Sequence, residues 1–307
     1  MIGFFYIVNY GLSQEEVDRQ WAIGKALYSL PEEELLKYRA PLEEGIYSGY
    51  RPRGMIELKP GLRDSIEMYN VFKFVPQYDR DHPAVIRDHL AEVERFHRHI
   101  HENIVYKLLR LIAIVLELPS EDALIEGHSY EGNSDCHLRY MMSRARRDVN
   151  FNAAVDNIYT RGHSDFGSLT LLFRQPVAGL QVLTREGQWK YVKPLDGSIT
   201  VNIADALQFW SNGYLKSSVH RVIVPPPDQA HIDRLGLLYF VRPGEKQSLK
   251  TVDSPLLKRL GLLDGVTDED VKAGDWVRAR VRRNWQKPPE KNENLTVGGV
   301  QTRVVYD

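Results

Sequence analysis

The sequence predicts a mainly β core with helices packed outside it, and three observations carry that prediction. Short apolar, β-prone runs recur at Ser168 to Phe173, Gly179 to Leu183 and Ser198 to Ile203, the spacing of strands in a sandwich or barrel. A further run, Arg221 to Val224, is stopped by Pro225, Pro226 and Pro227, which cannot donate to a sheet ladder. Helical periodicity is confined to the flanks, before Pro119 and after Gly244.

In chain order, Ser13 stands three residues before Glu16, a capping box that starts a helix running to about Leu30. Pro31 followed by Glu32, Glu33 and Glu34 predicts a second helix, because proline and acids suit a first turn. His82-Pro83 leads into a long amphipathic helix, with Ile86, Val93, Phe96, Ile100, Ile104 and Leu108 among its apolar positions, ending near Leu118-Pro119. Beyond Gly244 two more helices are expected, Pro255 to Leu263 and Thr267 to Trp285. Arg278, Arg280, Arg282 and Arg283 crowd the end of the second, where cations complement the helix dipole. No internal repeat, low-complexity linker or heptad run interrupts the chain.

The residues with the most chemistry lie inside the strand-rich region. His163 and Asp165 are two apart, and on a strand such positions share a face. His220 arrives from a later apolar segment. An H-x-D triplet alone is common and usually marks a turn. Placed among short strands it reads differently, because an unpaired inward imidazole or carboxylate is costly. Two imidazoles and one carboxylate leave the far side of a metal open, the facial triad of non-haem Fe(II) oxygenases.

Composition narrows the alternatives. With 40 Lys and Arg against 41 Asp and Glu the net charge is −1, which provides no electrostatic footprint for nucleic acid or an anionic membrane. No apolar run approaches the roughly 20 residues that span a bilayer, and no charged-then-apolar signal segment opens the chain. The one cysteine, Cys136, cannot form an intrachain disulfide, which fits a reducing compartment, and it is read as a small packing residue. His97, His99 and His101 do not share a face at i and i+2 and are read as solvated. His82, His89, His128 and His231 have no ligand-spaced partner. Arg144, Arg146 and Arg147 are read as a solvated loop, and Asp205 as serving a turn between strands.

Five motifs run in order: His163-x-Asp165, Gly179-Leu180-Gln181-Val182, Val201-Asn202-Ile203-Ala204-Asp205, Ser211-Asn212-Gly213, and Lys216 to Val222. Together they resemble the isopenicillin N synthase-like group of Fe(II)/2-oxoglutarate-dependent oxygenases, most strongly over Leu138 to Pro243. Gly3 to Gly11 resembles that group's early strand, and Gly49-Tyr50 its loop over the active site. The resemblance implies a double-stranded β-helix, or distorted jelly-roll, with a long N-terminal-half helix and C-terminal helices. It divides the chain into an N-terminal region of strands and helices (1–130), the oxygenase core (131–246) and a C-terminal helical extension (247–307). Relatives carry a further strand and helix before the Gly-Phe-Phe strand, on which this chain almost begins.

The resemblance also implies cofactors. His163, Asp165 and His220 would hold Fe(II), and Arg234 would pair with the distal carboxylate of the co-substrate 2-oxoglutarate, a task suited to a rigid two-point donor. Two departures stand beside it. Gly236 occupies the position of a serine, and Met141 and Ser143 replace an asparagine and a tyrosine. Losing hydroxyls predicts weaker 2-oxoglutarate binding, at about 0.5–1.5 kcal/mol per neutral hydrogen bond. Arg139 or Tyr159 could compensate.

The activity implied is oxidation of a small organic substrate by O₂, with 2-oxoglutarate going to succinate and CO₂. Hydroxylation, desaturation, ring expansion and cyclisation all stay open. The metal-binding half most resembles thymine-hydroxylating and fungal natural-product members, which favours an aromatic or heterocyclic secondary-metabolite substrate. Tyr50, Arg51, Arg53, Met142, Phe209 and the surroundings of Arg242 are the expected pocket residues, in a cytoplasmic enzyme of open oligomeric state. Two other readings stand: an iron oxidase that does not use 2-oxoglutarate, and a non-catalytic jelly-roll whose metal is structural.

Overall fold

In a computed structural model, residues 2–263, 270–286, 294–297 and 300–303 are described. Strand β1 (Phe4–Val8) is followed by helices α1 (Gln14–Leu27) and α2 (Glu32–Leu36) and strands β2 (Gly49–Arg51), β3 (Glu57–Lys59), β4 (Leu62–Arg63) and β5 (Ile66–Phe72). Helices α3 (Ala84–Arg87), α4 (Leu90–Arg98) and α5 (Tyr106–Val115) precede β6 (His137–Ser143), α6 (Val149–Ala154), β7 (Ile158–His163), β8 (Leu169–Phe173), β9 (Leu180–Leu183) and β10 (Trp189–Tyr191). Next come β11 (Ser198–Ile203), α7 (Asp205–Trp210), β12 (His220–Ile223) and β13 (Arg234–Val241). Helices α8 (Pro255–Arg259) and α9 (Ala273–Gln286) and the hairpin β14 (Asn294–Val297) and β15 (Val300–Arg303) complete the order. The expected start of the last helix near Thr267 falls outside the described residues.

Two sheets face each other. The larger runs β1-β11-β8-β13-β6-β5-β2 and the smaller β10-β9-β12-β7, and every pairing among these strands is antiparallel. Strand alternation sorts the large sheet's side chains by face. Tyr69, Val71, Leu138, Tyr140, Leu235, Leu237 and Tyr239 point outward and join the helices in the main core. Ile66, Met141, Leu238 and Phe240 point inward, where Tyr159 and Val222 of the small sheet meet them. The two sheets together form the double-stranded β-helix that the resemblance implies.

The predicted capping box at Ser13 is present: the Ser13 hydroxyl accepts from the Glu16 N–H, and Glu16 accepts from the Ser13 N–H. The predicted long helix differs. It is divided at Asp88 and His89, and between α4 and α5 the turn from His99 to Val105 is π-helical. His97 and His101 are not solvated but fully buried, since at i and i+4 they do share a face. His101 Nε2 donates to the His128 carbonyl at 2.6 Å, and its Nδ1 accepts from Tyr239 Oη at 2.9 Å. His128 is buried as well, with Nε2 on Ser168 Oγ at 2.7 Å. Cys136 is a buried packing residue, as expected. Among the described residues no helix is long and apolar enough to cross a membrane.

Candidate metal and co-substrate site

His163 ends β7 and His220 begins β12, and the two stand opposite each other in the register of that pair. Their ring centroids lie 4.4 Å apart. Asp165 follows on the loop into β8, with Oδ1 3.8 Å from His163 Nε2 and Oδ2 3.7 Å from His220 Nε2. One ligand atom from each of the three lies within 4.8 Å of the others, so the trio could hold a metal ion.

Surrounding hydrogen bonds fix which atoms face that point. His163 Nδ1 bonds the Arg161 carbonyl at 2.8 Å and His220 Nδ1 the Ser218 carbonyl at 3.1 Å. Each ring proton is therefore on Nδ1, and each Nε2 keeps a lone pair for a metal. Thr170 Oγ1 and Asn202 Nδ2 both donate to Asp165 Oδ2, at 2.7 and 2.9 Å. Oδ1 accepts from no described donor. Burial, and then the neighbouring His220, lower His163 to about 4, so no proton need be displaced there at neutral pH. Burial pushes the Asp165 carboxyl up, but His220, His163 and its two donors outweigh that and hold it below the usual carboxylate range.

The loop that carries Asp165 is pinned from behind. The Asp205 N–H donates to the Asp165 carbonyl at 2.9 Å and the Ala206 N–H to that of Gly167 at 2.8 Å. Asp205 is not in a turn between strands: it opens α7, fully buried, and accepts from Ser217 Oγ at 2.7 Å and Ser164 Oγ at 3.2 Å. Gly167 is required by close approach, since a Cβ there would lie 2.1 Å from the Val241 carbonyl oxygen.

Arg234 projects into the same inter-sheet space, 2 % exposed. Among the described residues its one hydrogen bond runs from Nε to the Val177 carbonyl at 3.2 Å, and it has no carboxylate partner. Ser143 lies opposite it in the β6–β13 register, and the buried Ser143 Oγ has no partner either. Tyr159 is buried beside them, its hydroxyl accepting from the Arg146 N–H at 3.1 Å. A guanidinium without an acidic partner and an unpartnered hydroxyl, both buried on facing strands among the described residues, suit a carboxylate supplied from outside the protein. Arg139 also faces the cavity, with Nε on Asn70 Oδ1 at 2.7 Å and Nη2 on His137 Nε2 at 3.2 Å.

Other expected pocket residues lie elsewhere. Gly49 and Tyr50 form edge strand β2 rather than a loop, and Tyr50 is buried toward the helices, opposite outward-facing Tyr69. Met142 points outward because its neighbours Met141 and Ser143 point in. Phe209 packs edge-on against Trp276. Arg53 is exposed and paired with Glu32, while Arg51 is buried in an ion pair with Asp64. Arg144 is not simply solvated: it bridges Glu67 at 2.6 Å and Asp233 at 2.9 Å. Sequence reading missed Asn202 and Thr170, although both sit on strands flanking the metal loop at inward positions.

Residues 134–243 match the model of the 2OG-Fe(II) oxygenase superfamily, and residues 1–93 match that of the non-haem dioxygenase N-terminal region named for morphine synthesis. UPF0676 protein C1494.01 of Schizosaccharomyces pombe is 30% identical over 301 residues, covering 94% of this chain and 87% of that protein. The 2-oxoglutarate-Fe(II) type oxidoreductase ppzD of Metarhizium rileyi is 26% identical over 317 residues, covering 97% and 83%. A full-length Neurospora crassa protein solved with alpha-KG and thymine superposes with a TM-score of 0.78 at 23% identity, covering 93% of this chain and 88% of that one. The chain belongs to the 2OG-Fe(II) oxygenase superfamily. It is a non-haem dioxygenase that uses Fe(II) and 2-oxoglutarate.

Proposed function

We propose that this enzyme oxidises a C–H bond of a small aromatic or heterocyclic molecule, with Fe(II) on His163, Asp165 and His220 and the distal carboxylate of 2-oxoglutarate on Arg234. The observation that carries this reading is the buried Arg234 guanidinium, which has no acidic partner among the described residues, in the inter-sheet space that the triad also faces. Iron and 2-oxoglutarate together supply the O₂ activation and hydrogen-atom abstraction. The protein's part is to hold, orient and keep dry. His163 and His220 present Nε2, and Thr170 and Asn202 hold Asp165 with one oxygen outward. Ser143 and Tyr159 add hydroxyls beside Arg234. Met141, Leu238, Val222 and Phe240 exclude water from the space between.

The thymine bound by the Neurospora relative supports a flat heterocycle as substrate, and the lone buried Cys136 suits a cytoplasmic enzyme. The test is succinate release from the Fe(II)-loaded enzyme against a panel of candidate heterocycles and aromatics. One succinate per substrate oxidised is expected. Substrate oxidation that proceeds without 2-oxoglutarate would defeat the reading.

A further inference from the structure

Arg139 is a second cation in the inter-sheet cavity with no acidic partner among the described residues. Its Nε and Nη2 are occupied by Asn70 and His137, both neutral acceptors. Asn70 is itself fixed, since its Nδ2 donates to the Tyr47 carbonyl at 2.6 Å. His137 Nδ1 bonds the Asp135 carbonyl at 2.8 Å, leaving Nε2 to accept. The guanidinium is thus aimed, 4.3 Å above the Phe240 ring, but not neutralised. Arg242 nearby differs, because Asp135 lies 3.9 Å from its Nε. Burial, and then the neighbouring Arg242, lower Arg139 to about 10, opposed in part by Tyr47 and by the Asp165 carboxylate of the triad.

Arg139 is offset from Arg234 along the sheet. In the β6–β13 register Arg234 faces Ser143 and Leu238 faces Arg139, so their backbone positions are offset by about 13 Å along the strands, at roughly 3.3 Å per residue. A five-carbon diacid with bonds of about 1.5 Å is roughly half that long. Charge points the same way. The two positive charges of Fe(II) and the one of Arg234 balance Asp165 and the two carboxylates of 2-oxoglutarate. Arg139, held by Asn70, His137 and the Phe240 ring, is left without an acidic partner of its own among the described residues, which is costly until an anion joins it.

We infer that Arg139 is the recognition residue for the prime substrate, and that this substrate bears a carboxylate. A planar fork favours a carboxylate. The inference rests on the reading that Arg234 takes 2-oxoglutarate, and it narrows that reading to acids.

The test uses Mn(II)-loaded full-length enzyme saturated with 2-oxoglutarate and titrated calorimetrically. The probes are arylacetic and short aliphatic monocarboxylic acids, each beside its own amide. Acids that bind should do so about 10–100-fold more tightly than their amides. Arg139→Gln should erase that preference, and Arg139→Lys should keep part of it, while the affinity for 2-oxoglutarate stays at the wild-type level in both. Three results would overturn the inference: no acid binding more tightly than its amide, a preference that survives Arg139→Gln, or a loss of 2-oxoglutarate affinity in Arg139→Gln. Should Arg139→Gln fail to fold, the acid–amide comparison in the wild-type enzyme decides alone. Failure of wild-type enzyme to bind 2-oxoglutarate at all would count against the parent reading instead.

Discussion

Ser143 stands directly across the β6–β13 pair from Arg234, and neither side chain has a polar partner that satisfies it within the described protein beyond the Arg234 Nε bond to Val177. Sequence comparison reads Ser143 as the loss of a larger hydroxyl residue. In the fold it is a buried hydroxyl opposite Arg234, so on the proposed reading part of what Gly236 lacks is supplied from the facing strand.

Arg234→Ala is expected to raise the KM for 2-oxoglutarate by far more than that for the prime substrate, a cost of about 2–4 kcal/mol for a lost charge-assisted pair. Ser143→Ala should cost about 1 kcal/mol in the same titration. Equal effects on both substrates would mean that the arginine acts through general packing.

Gly236→Ser should tighten 2-oxoglutarate binding by about 1 kcal/mol. The backbone there is not left-handed, and an added Cβ would meet only Leu238 Cδ1, at 3.2 Å, within close range. That methyl lies on a flexible side chain and can give. Unchanged co-substrate binding with lost turnover would instead show that the glycine makes room for substrate.

The Asp165 carboxylate, the proposed iron ligand, is held by Thr170 and Asn202, so Asn202→Ala should weaken Fe(II) binding roughly 10–100-fold while leaving the fold intact, the usual effect of losing such a support. Metal titration followed by circular dichroism separates the two effects. Wild-type iron affinity in Asn202→Ala would mean that the bond to Asp165 Oδ2 does not orient the ligand.

Much of this site was legible because strand periodicity does not depend on distant contacts. The β-prone run at Ser198 to Ile203 is a local property, and β11 has those bounds, whereas Asp165 lies on the loop beyond β7 and shares no strand face with His163. The misreadings have a common origin. Whether Tyr50 or Met142 faces the cavity depends on which side of the sheet the helices cover, and alternation alone supplies two phases without choosing between them. The burial of His97 and His101 was readable at i and i+4, but the π-helical turn after α4 was not. The isolation of Arg139 depends on Asn70 and Phe240, which reach it from two other strands.

Burial holds His101 at about 3 and His128 at about 4, against about 6.5 in an unfolded chain. Between those values the unfolded chain binds protons that the folded one does not, so stability rises with pH through this window. It is fully present above about pH 6.5 and lost as the pH falls toward 4, by about 1.4 kcal/mol per pH unit for each ring. Denaturant midpoints across that range are expected to fall with acidification. A flat profile would mean that these rings are charged in the folded protein.

Anaerobic titration of 2-oxoglutarate into Fe(II)-loaded enzyme, followed by the visible charge-transfer absorption of the chelate, tests the central claim most directly. Wild-type enzyme should develop the band at stoichiometric iron. Asp165→Ala and His220→Ala should fail to develop it while remaining folded, and Arg234→Ala should reach it only at about 30-fold or more higher 2-oxoglutarate. A band of wild-type strength in Asp165→Ala, or none in the wild-type enzyme, would contradict the account.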